Sequence, residues 1–140
     1  MLIQVPFSGT LLVGKREAYV LFDTGSTHSV VSLSFVRYLG VLPSLLDPHM
    51  LIATPMGNSL ILSDEYRGCP IVVGDRNCKV NLLPMMMHNF DIILGMDWLS
   101  EHCATIDCLG KRVIFGDVNQ PEFLFQGSQP GSNYFSFKGE

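Results

Sequence analysis

The tightest constraint on this chain is the rhythm of short apolar stretches broken by turn residues. Such stretches occupy residues 10–13, 18–22, 29–32, 50–53, 59–62, 70–73, 79–83 and 91–94. Their length and their β-branched and aromatic content read as strands. Between them lie Val13-Gly14-Lys15, Pro55-Met56-Gly57-Asn58 and Val73-Gly74-Asp75-Arg76-Asn77. Gly, Asn and Asp at these points supply the backbone conformations that tight turns need. Regularly spaced short strands and hairpins predict a small closed or sandwich-like all-β domain. Composition permits it. Of the 140 residues, 47% are hydrophobic and 16% charged, which can fill one core and does not describe a disordered chain.

Two short helices are expected within this frame. Residues 32–39 open on Ser32 and stop at Gly40, as a capped helix does, and residues 97–102 follow Gly95. Beyond Gly116 the character changes. Asn119-Gln120-Pro121 and Gly127-Ser128-Gln129-Pro130-Gly131-Ser132-Asn133 are rich in Gly, Pro, Ser, Asn and Gln. The predicted organisation is a domain over residues 1–116 and a linker or tail over 117–140. The tail carries Phe123, Leu124, Phe125, Tyr134, Phe135 and Phe137 as side chains available to dock.

Nine basic and thirteen acidic residues give a formal charge of −4, with no basic run of the kind that tracks phosphates. A direct nucleic-acid reader is therefore not expected. Met1-Leu2-Ile3-Gln4-Val5-Pro6 lacks a basic stretch followed by an apolar run, so no signal peptide is expected. Apolar runs such as Ile92-Ile93-Leu94 fall far short of the roughly 20 residues that span a bilayer, so no membrane partner is expected either. Cys69, Cys78, Cys103 and Cys108 include no C-x-x-C pair. They read as reduced, mostly buried thiols of an intracellular protein. A disulfide, or a zinc site drawing on His88 or His102, is the alternative, with spacings that fit no familiar ligand pattern. No cofactor and no metal is predicted.

The chemistry concentrates in Ala18-Tyr19-Val20-Leu21-Phe22-Asp23-Thr24-Gly25-Ser26-Thr27-His28-Ser29. An apolar strand delivers one carboxylate to its end, where Gly25 allows a sharp turn and close backbone approach. Small hydroxyl residues then follow where a core strand would continue with large apolar ones. Taken alone, an Asp in that place is a turn former. A second stretch, Phe90-Asp91-Ile92-Ile93-Leu94-Gly95-Met96-Asp97-Trp98-Leu99, lies about seventy residues further on and reads as a buried strand ending in Gly before a helix.

Together these two segments resemble the retropepsin-like aspartic proteases, and specifically the protease domains of gypsy-type long-terminal-repeat retrotransposon polyproteins. The resemblance covers roughly residues 9–115. It implies a small closed β-barrel-like retropepsin (acid protease) fold with one or two short helices and one lobe per chain. Asp23 matches the catalytic aspartate. Thr24 matches the residue whose hydroxyl bonds to the partner subunit's loop, and Gly25 the turn glycine beside the carboxylate. Ser26 completes the catalytic segment; its hydroxyl either donates to the Asp23 carboxylate or bonds backbone in the turn. Leu94 and Gly95 match the strand that supports the active-site loop. Ile52, Thr54, Pro55, Met56, Gly57 and Asn58 fall where the family has its substrate-covering flap hairpin.

The implied activity is that of an aspartic endopeptidase. Its chemistry takes two carboxylates sharing one proton, and this chain offers one Asp-Thr-Gly segment. The resemblance therefore implies an obligate homodimer with the two Asp23 carboxylates on its two-fold axis. Its substrate would be an extended peptide of the element's own polyprotein, cut in the cytoplasm or in virus-like particles. A catalytically silent retropepsin-like dimerisation or peptide-binding module remains the alternative. Asp91, Asp97 and Asp107 are the competing carboxylates, but none sits in a comparable Gly turn, and Asp97 reads as a helix cap or ion-pair partner. Met85-Met86-Met87 reads as adaptable core or as a pocket wall. The phosphate turn of actin-like ATPases would require a longer chain with a second phosphate loop. A serine hydrolase would require a G-x-S-x-G elbow that is absent here.

Overall fold

The structure is a computed structural model and describes residues 7–53, 59–107, 109–117 and 120–126. Ten strands are present in that range: β1 (Phe7–Val13), β2 (Arg16–Phe22), β3 (Val30–Ser32), β4 (Ser44–Ala53), β5 (Ser59–Val73), β6 (Arg76–Met85), β7 (Ile92–Leu94), β8 (Ala104–Asp107), β9 (Arg112–Asp117) and β10 (Gln120–Gln126). One α-helix, α1 (Met96–Glu101), stands between β7 and β8. No helix among the described residues is long and apolar enough to cross a membrane.

Seven strands run in the order β1-β2-β7-β3-β6-β5-β4. A further pairing of β1 with β5, through Leu12↔Val72 and Val13↔Ile71, closes the first six into a barrel. The closure leaves β4 outside, paired with β5 alone as a projecting hairpin. This is the all-β, barrel-like retropepsin architecture that the sequence predicts.

The two-residue hairpins form where the glycines demand. Gly14 and Gly74 take φ of +63° and +66°, and the ladders resume directly at Val13↔Arg16 and Val73↔Arg76. Along β2 the period of two is legible in burial: Ala18, Val20 and Phe22 are buried while Glu17 and Tyr19 face out. Inside the barrel these residues meet Leu11, Ile71, Leu82, Ile92 and Leu94. Burying each such side chain contributes about 1.5–3 kcal/mol, so this core is the main source of stability.

Three features depart from the sequence reading. The helix expected over residues 32–39 shrinks to a single 3-10 turn, Val36–Tyr38, because Val30, Val31 and Ser32 join the sheet as β3. The β-branched pair holds the extended backbone, and Phe35 and Leu39 are then drawn down onto the barrel. The second helix appears one residue early, as α1, and buries Trp98 and Leu99. The third departure concerns the stretch read as linker or tail from residue 117. Its first part forms β10, which pairs with β9 and buries Leu124 and Phe125. The Phe125 ring lies 5.5 Å from that of Phe22, the residue before Asp23. Residues 120–126 are thus a strand of the three-stranded sheet β10-β9-β8. Pro121 is tolerated because β10 is an edge strand, with a register shift between Pro121 and Phe123.

Candidate active site

Strand β2 ends at Phe22, and the chain turns sharply into the loop that carries Asp23, Thr24, Gly25 and Ser26. The Gly25 N–H donates to Asp23 Oδ1 at 2.8 Å, and the Ser26 hydroxyl donates to Asp23 Oδ2 at 3.2 Å. The Ser26 N–H closes the turn on the Asp23 carbonyl at 3.2 Å. Each carboxylate oxygen thus has one donor from its own loop and further lone pairs to offer. Asp23 and Thr24 are half-buried and Gly25 is exposed, so the turn opens towards solvent at its glycine. A Cβ on Gly25 would stand 3.1 Å from Asp23 Oδ1, tighter than most real contacts, which explains the glycine beside the carboxylate.

Beneath the loop lies the end of β7. Parallel pairing sets Phe22 against Leu94, and the Asp23 N–H donates to the Leu94 carbonyl at 3.0 Å. Gly95 follows and is buried. A Cβ there would stand 2.7 Å from the carbonyl oxygens of both Ser26 and His28. No side chain fits between these two segments. The Met96 N–H reaches the Ser26 carbonyl at 2.7 Å and the Asp97 N–H reaches that of Thr27 at 3.3 Å. The structure therefore brings together Asp23, Thr24, Gly25 and Ser26 above Leu94 and Gly95.

The projecting hairpin of β4 and β5 holds Ile52, half-buried and opposite Leu60. Thr54, Pro55, Met56, Gly57 and Asn58, the remaining residues expected in the flap, lie outside the described residues. Beside the hairpin a groove of about 320 Å³ is lined by Leu33, Leu60, Leu62, Pro84, Met85 and Met86, with Asp64 also on its wall. Met85 and Met86 are thus groove-lining rather than core, and Met86 is largely exposed.

The competing carboxylates have structural places. Asp91 Oδ2 accepts from the Tyr19 N–H at 2.8 Å, tying β2 to the start of β7. Asp107 bonds the Gly110 N–H and Arg112 Nε, and those two donors hold its carboxyl below the usual carboxylate range. Asp97 takes Ser29 as its partner, receiving its hydroxyl at 2.7 Å and its N–H at 3.1 Å. The sequence raises Ser29 only with His28, as a serine-hydrolase reading, and not as a partner of Asp97. The signal at Ser29 was a hydroxyl residue leading into a buried strand, where only a partnered hydroxyl is tolerated. Among the thiols, Cys69 is buried, Cys78 half-buried and Cys103 exposed; burial pushes the Cys69 thiol up to about 11.

The family model for retroviral aspartyl proteases matches residues 5–121. The chain belongs to that family. Its fold is shared with the retroviral protease-like domain of Ddi1 from Leishmania major, with a TM-score of 0.63 and 11% identity over 94% of this chain and 100% of that one. It is shared also with EIAV protease complexed with the inhibitor HBY-793, with a TM-score of 0.57 and 19% identity over 76% of this chain and 97% of that one. At such identities the likeness speaks for the fold alone. No curated protein matches the sequence. Within the retroviral aspartyl protease family, the loop carrying Asp23 is the candidate catalytic element of this member.

Proposed function

We propose that the chain is an aspartic endopeptidase acting as a symmetric homodimer, with one Asp23 from each subunit forming the catalytic pair. The observation that carries this reading is the Asp23 carboxylate itself. It stands at the end of β2, whose alternate residues fill the core, oriented by the Gly25 N–H and the Ser26 hydroxyl, on a loop backed by Leu94 and Gly95. Each chain supplies one such loop, and hydrolysis of an unactivated amide takes two carboxylates, so two-fold association completes the site.

Two carboxylates about 3 Å apart do not both ionise, so the pair holds one proton. The ionised member accepts a proton from a water lying between them as the water oxygen attacks the scissile carbonyl carbon. The protonated member donates to the carbonyl oxygen, giving a neutral tetrahedral gem-diol. Collapse breaks the C–N bond, with a proton passed to the leaving amine, and the pair returns to its single-proton state. Thr24, flanking Asp23, joins its loop to that of the other subunit. The flap, comprising Ile52 and residues 54–58, covers an extended peptide bound as an added strand. Ile52, Leu60 and the methionine-lined groove favour apolar side chains near the cut, and methionine adapts to several shapes. The resemblance of residues 21–29 and 90–99 to gypsy-type elements supports polyprotein processing inside the cell.

The test is cleavage of a mixed peptide library from acidic to neutral pH, by the chain and by Asp23→Asn, with and without pepstatin. Activity that rises with dimer concentration, vanishes in Asp23→Asn and is blocked by pepstatin supports the proposal. Cleavage surviving in Asp23→Asn refutes it.

A further inference from the structure

We infer that Asp97 is a positioning residue for the catalytic loop, acting through the hydroxyl of Ser29. The inference rests on the assignment of Asp23 above and gives a role to a carboxylate that the proposed chemistry does not use.

Ser29 is buried, at 1% exposure, and stands where the Asp23 loop enters β3. A serine hydroxyl has one proton to give and lone pairs to receive. Here the proton goes to Asp97 Oδ1 at 2.7 Å, and the Gly95 N–H comes in at 3.0 Å. The second Asp97 oxygen takes the Ser29 N–H at 3.1 Å, so Asp97 grips Ser29 at both backbone and side chain. Asp97 is itself fixed, because Oδ1 also accepts the Trp98 N–H at 2.7 Å and Trp98 is buried in the core. Charge-assisted bonds of this kind are roughly twice as strong as neutral ones.

The direction of these bonds makes a relay. Asp97 orients the Ser29 hydroxyl so that its lone pair faces Gly95. That bond sets the Gly95 peptide, after which the Met96 N–H meets the Ser26 carbonyl at 2.7 Å. Ser26 in turn aims its hydroxyl at Asp23 Oδ2. With no Cβ at Gly95, the two segments touch at backbone distance, and a change at Ser29 is passed directly to the loop. Dimer catalysis places two such loops against each other, so an error of about 1 Å in each carboxylate is felt in the transition state more than in substrate binding. Loss of the brace should therefore reduce kcat and leave KM nearly unchanged.

The experiment compares Ser29→Ala and Ser29→Thr with the parent chain and with Val73→Ala, a core truncation on the β5–β6 hairpin. For each, kcat and KM are measured on one cleavable peptide with active sites titrated by pepstatin, and amide exchange is followed at Gly25, Ser26 and Gly95. Ser29→Ala is expected to lose about 10–100-fold in kcat with KM within about twofold, and to exchange faster at all three amides. Ser29→Thr, which keeps the hydroxyl, recovers kcat to within about threefold, and Val73→Ala keeps kcat per active site. If Ser29→Ala does not fold, Asp97→Asn serves. Its amide oxygen still accepts the hydroxyl, but its NH2 opposes the Ser29 N–H, and kcat falls about tenfold. A kcat unchanged while Gly95 exchange accelerates overturns the inference. If the parent chain cleaves nothing, the Asp23 assignment fails instead. The brace is then judged by Gly25 and Ser26 exchange alone, and unchanged exchange in Ser29→Ala overturns it.

Discussion

Gly95→Ala isolates the contact on which the candidate site stands. The Gly95 backbone, at φ −102° and ψ −170°, suits any L-residue, so alanine brings no torsional penalty. As the residue preceding α1, glycine and alanine differ in capping by only a few tenths to about 1 kcal/mol. Sterics therefore decide. The new Cβ would stand 2.7 Å from the carbonyl oxygens of Ser26 and His28 and 2.9 Å from the His28 carbonyl carbon, where ordinary contact begins at 3.4 Å. The loop and the end of β7 must separate by about 0.7 Å. Neither side yields as a flexible side chain would, because every atom met is backbone. Overpacking of this kind costs about 1–3 kcal/mol, or a fall of about 3–10 °C in Tm for a domain of this size. On the proposed two-fold site the catalytic consequence is larger in proportion, because displacing one Asp23 by a fraction of an ångström from the other would cost about 10–100-fold in kcat. Thermal unfolding by circular dichroism and peptide cleavage per titrated site measure the two effects. A Tm within about 1 °C of the parent, with unaltered cleavage, would refute the close approach and the reasoning built on it.

Phe125→Ala tests whether β10 belongs to the fold: truncating a fully buried ring costs about 3–5 kcal/mol by urea denaturation, whereas a change under about 1 kcal/mol would return residues 120–126 to the role of linker. Asp107 gives a pH signature. Its folded carboxyl is lowered by the Gly110 N–H and by Arg112, so its contribution is full above the unfolded value of about 4 and is lost as pH falls through the lower folded value. Asp107→Asn should lower Tm modestly at pH 7, with the gap closing below about pH 4; a gap that persists undiminished at pH 2 contradicts the assignment. Because the Arg112 pair is partly exposed, added salt should also narrow the gap.

The barrel was legible wherever local pattern and tertiary role agreed. Alternation over residues 18–22 and the glycines of the two hairpins are statements about a few neighbouring residues, and the structure obeys them. The departures occur where a local signal met a competing demand. Ser32 and Gly40 are proper helix punctuation, yet Val30 and Val31 extend the chain to pair with Leu83, Pro84, Ile92 and Ile93, and the sheet takes Ser32 with them. Strand β8 begins after Cys103, whose positive φ marks a turn without the usual glycine, and in the turn before β9 the positive φ falls on Lys111 and not on its neighbour Gly110, so the local punctuation was weak. The stretch at 120–126 was masked by its composition. Pro121 and the surrounding Gln, Asn and Gly speak for a linker, while Leu124 and Phe125 carry burial that the composition does not announce.

The candidate site divides along the same line. Asp23, Gly25 and Gly95 announce themselves because each occupies a position that few residue types can fill, and such positions stand out in a single sequence. Ser29 and Asp97 do not, since serine and aspartate are ordinary in loops and first helical turns, and their meeting joins segments 68 residues apart. What the sequence did contain was an anomaly of type: a run of hydroxyl residues, Ser26, Thr27 and Ser29, leading into a strand with no exposed face. A hydroxyl buried there without a partner costs about 1–3 kcal/mol, so the fold must bring it one. The acceptor has to be strong, compact and held by something rigid. A carboxylate in the first turn of α1, beside the buried Trp98, meets all three conditions. Asp97, the second carboxylate of residues 90–99, is thus explained by the serine, and the serine by the need to hold the loop of Asp23.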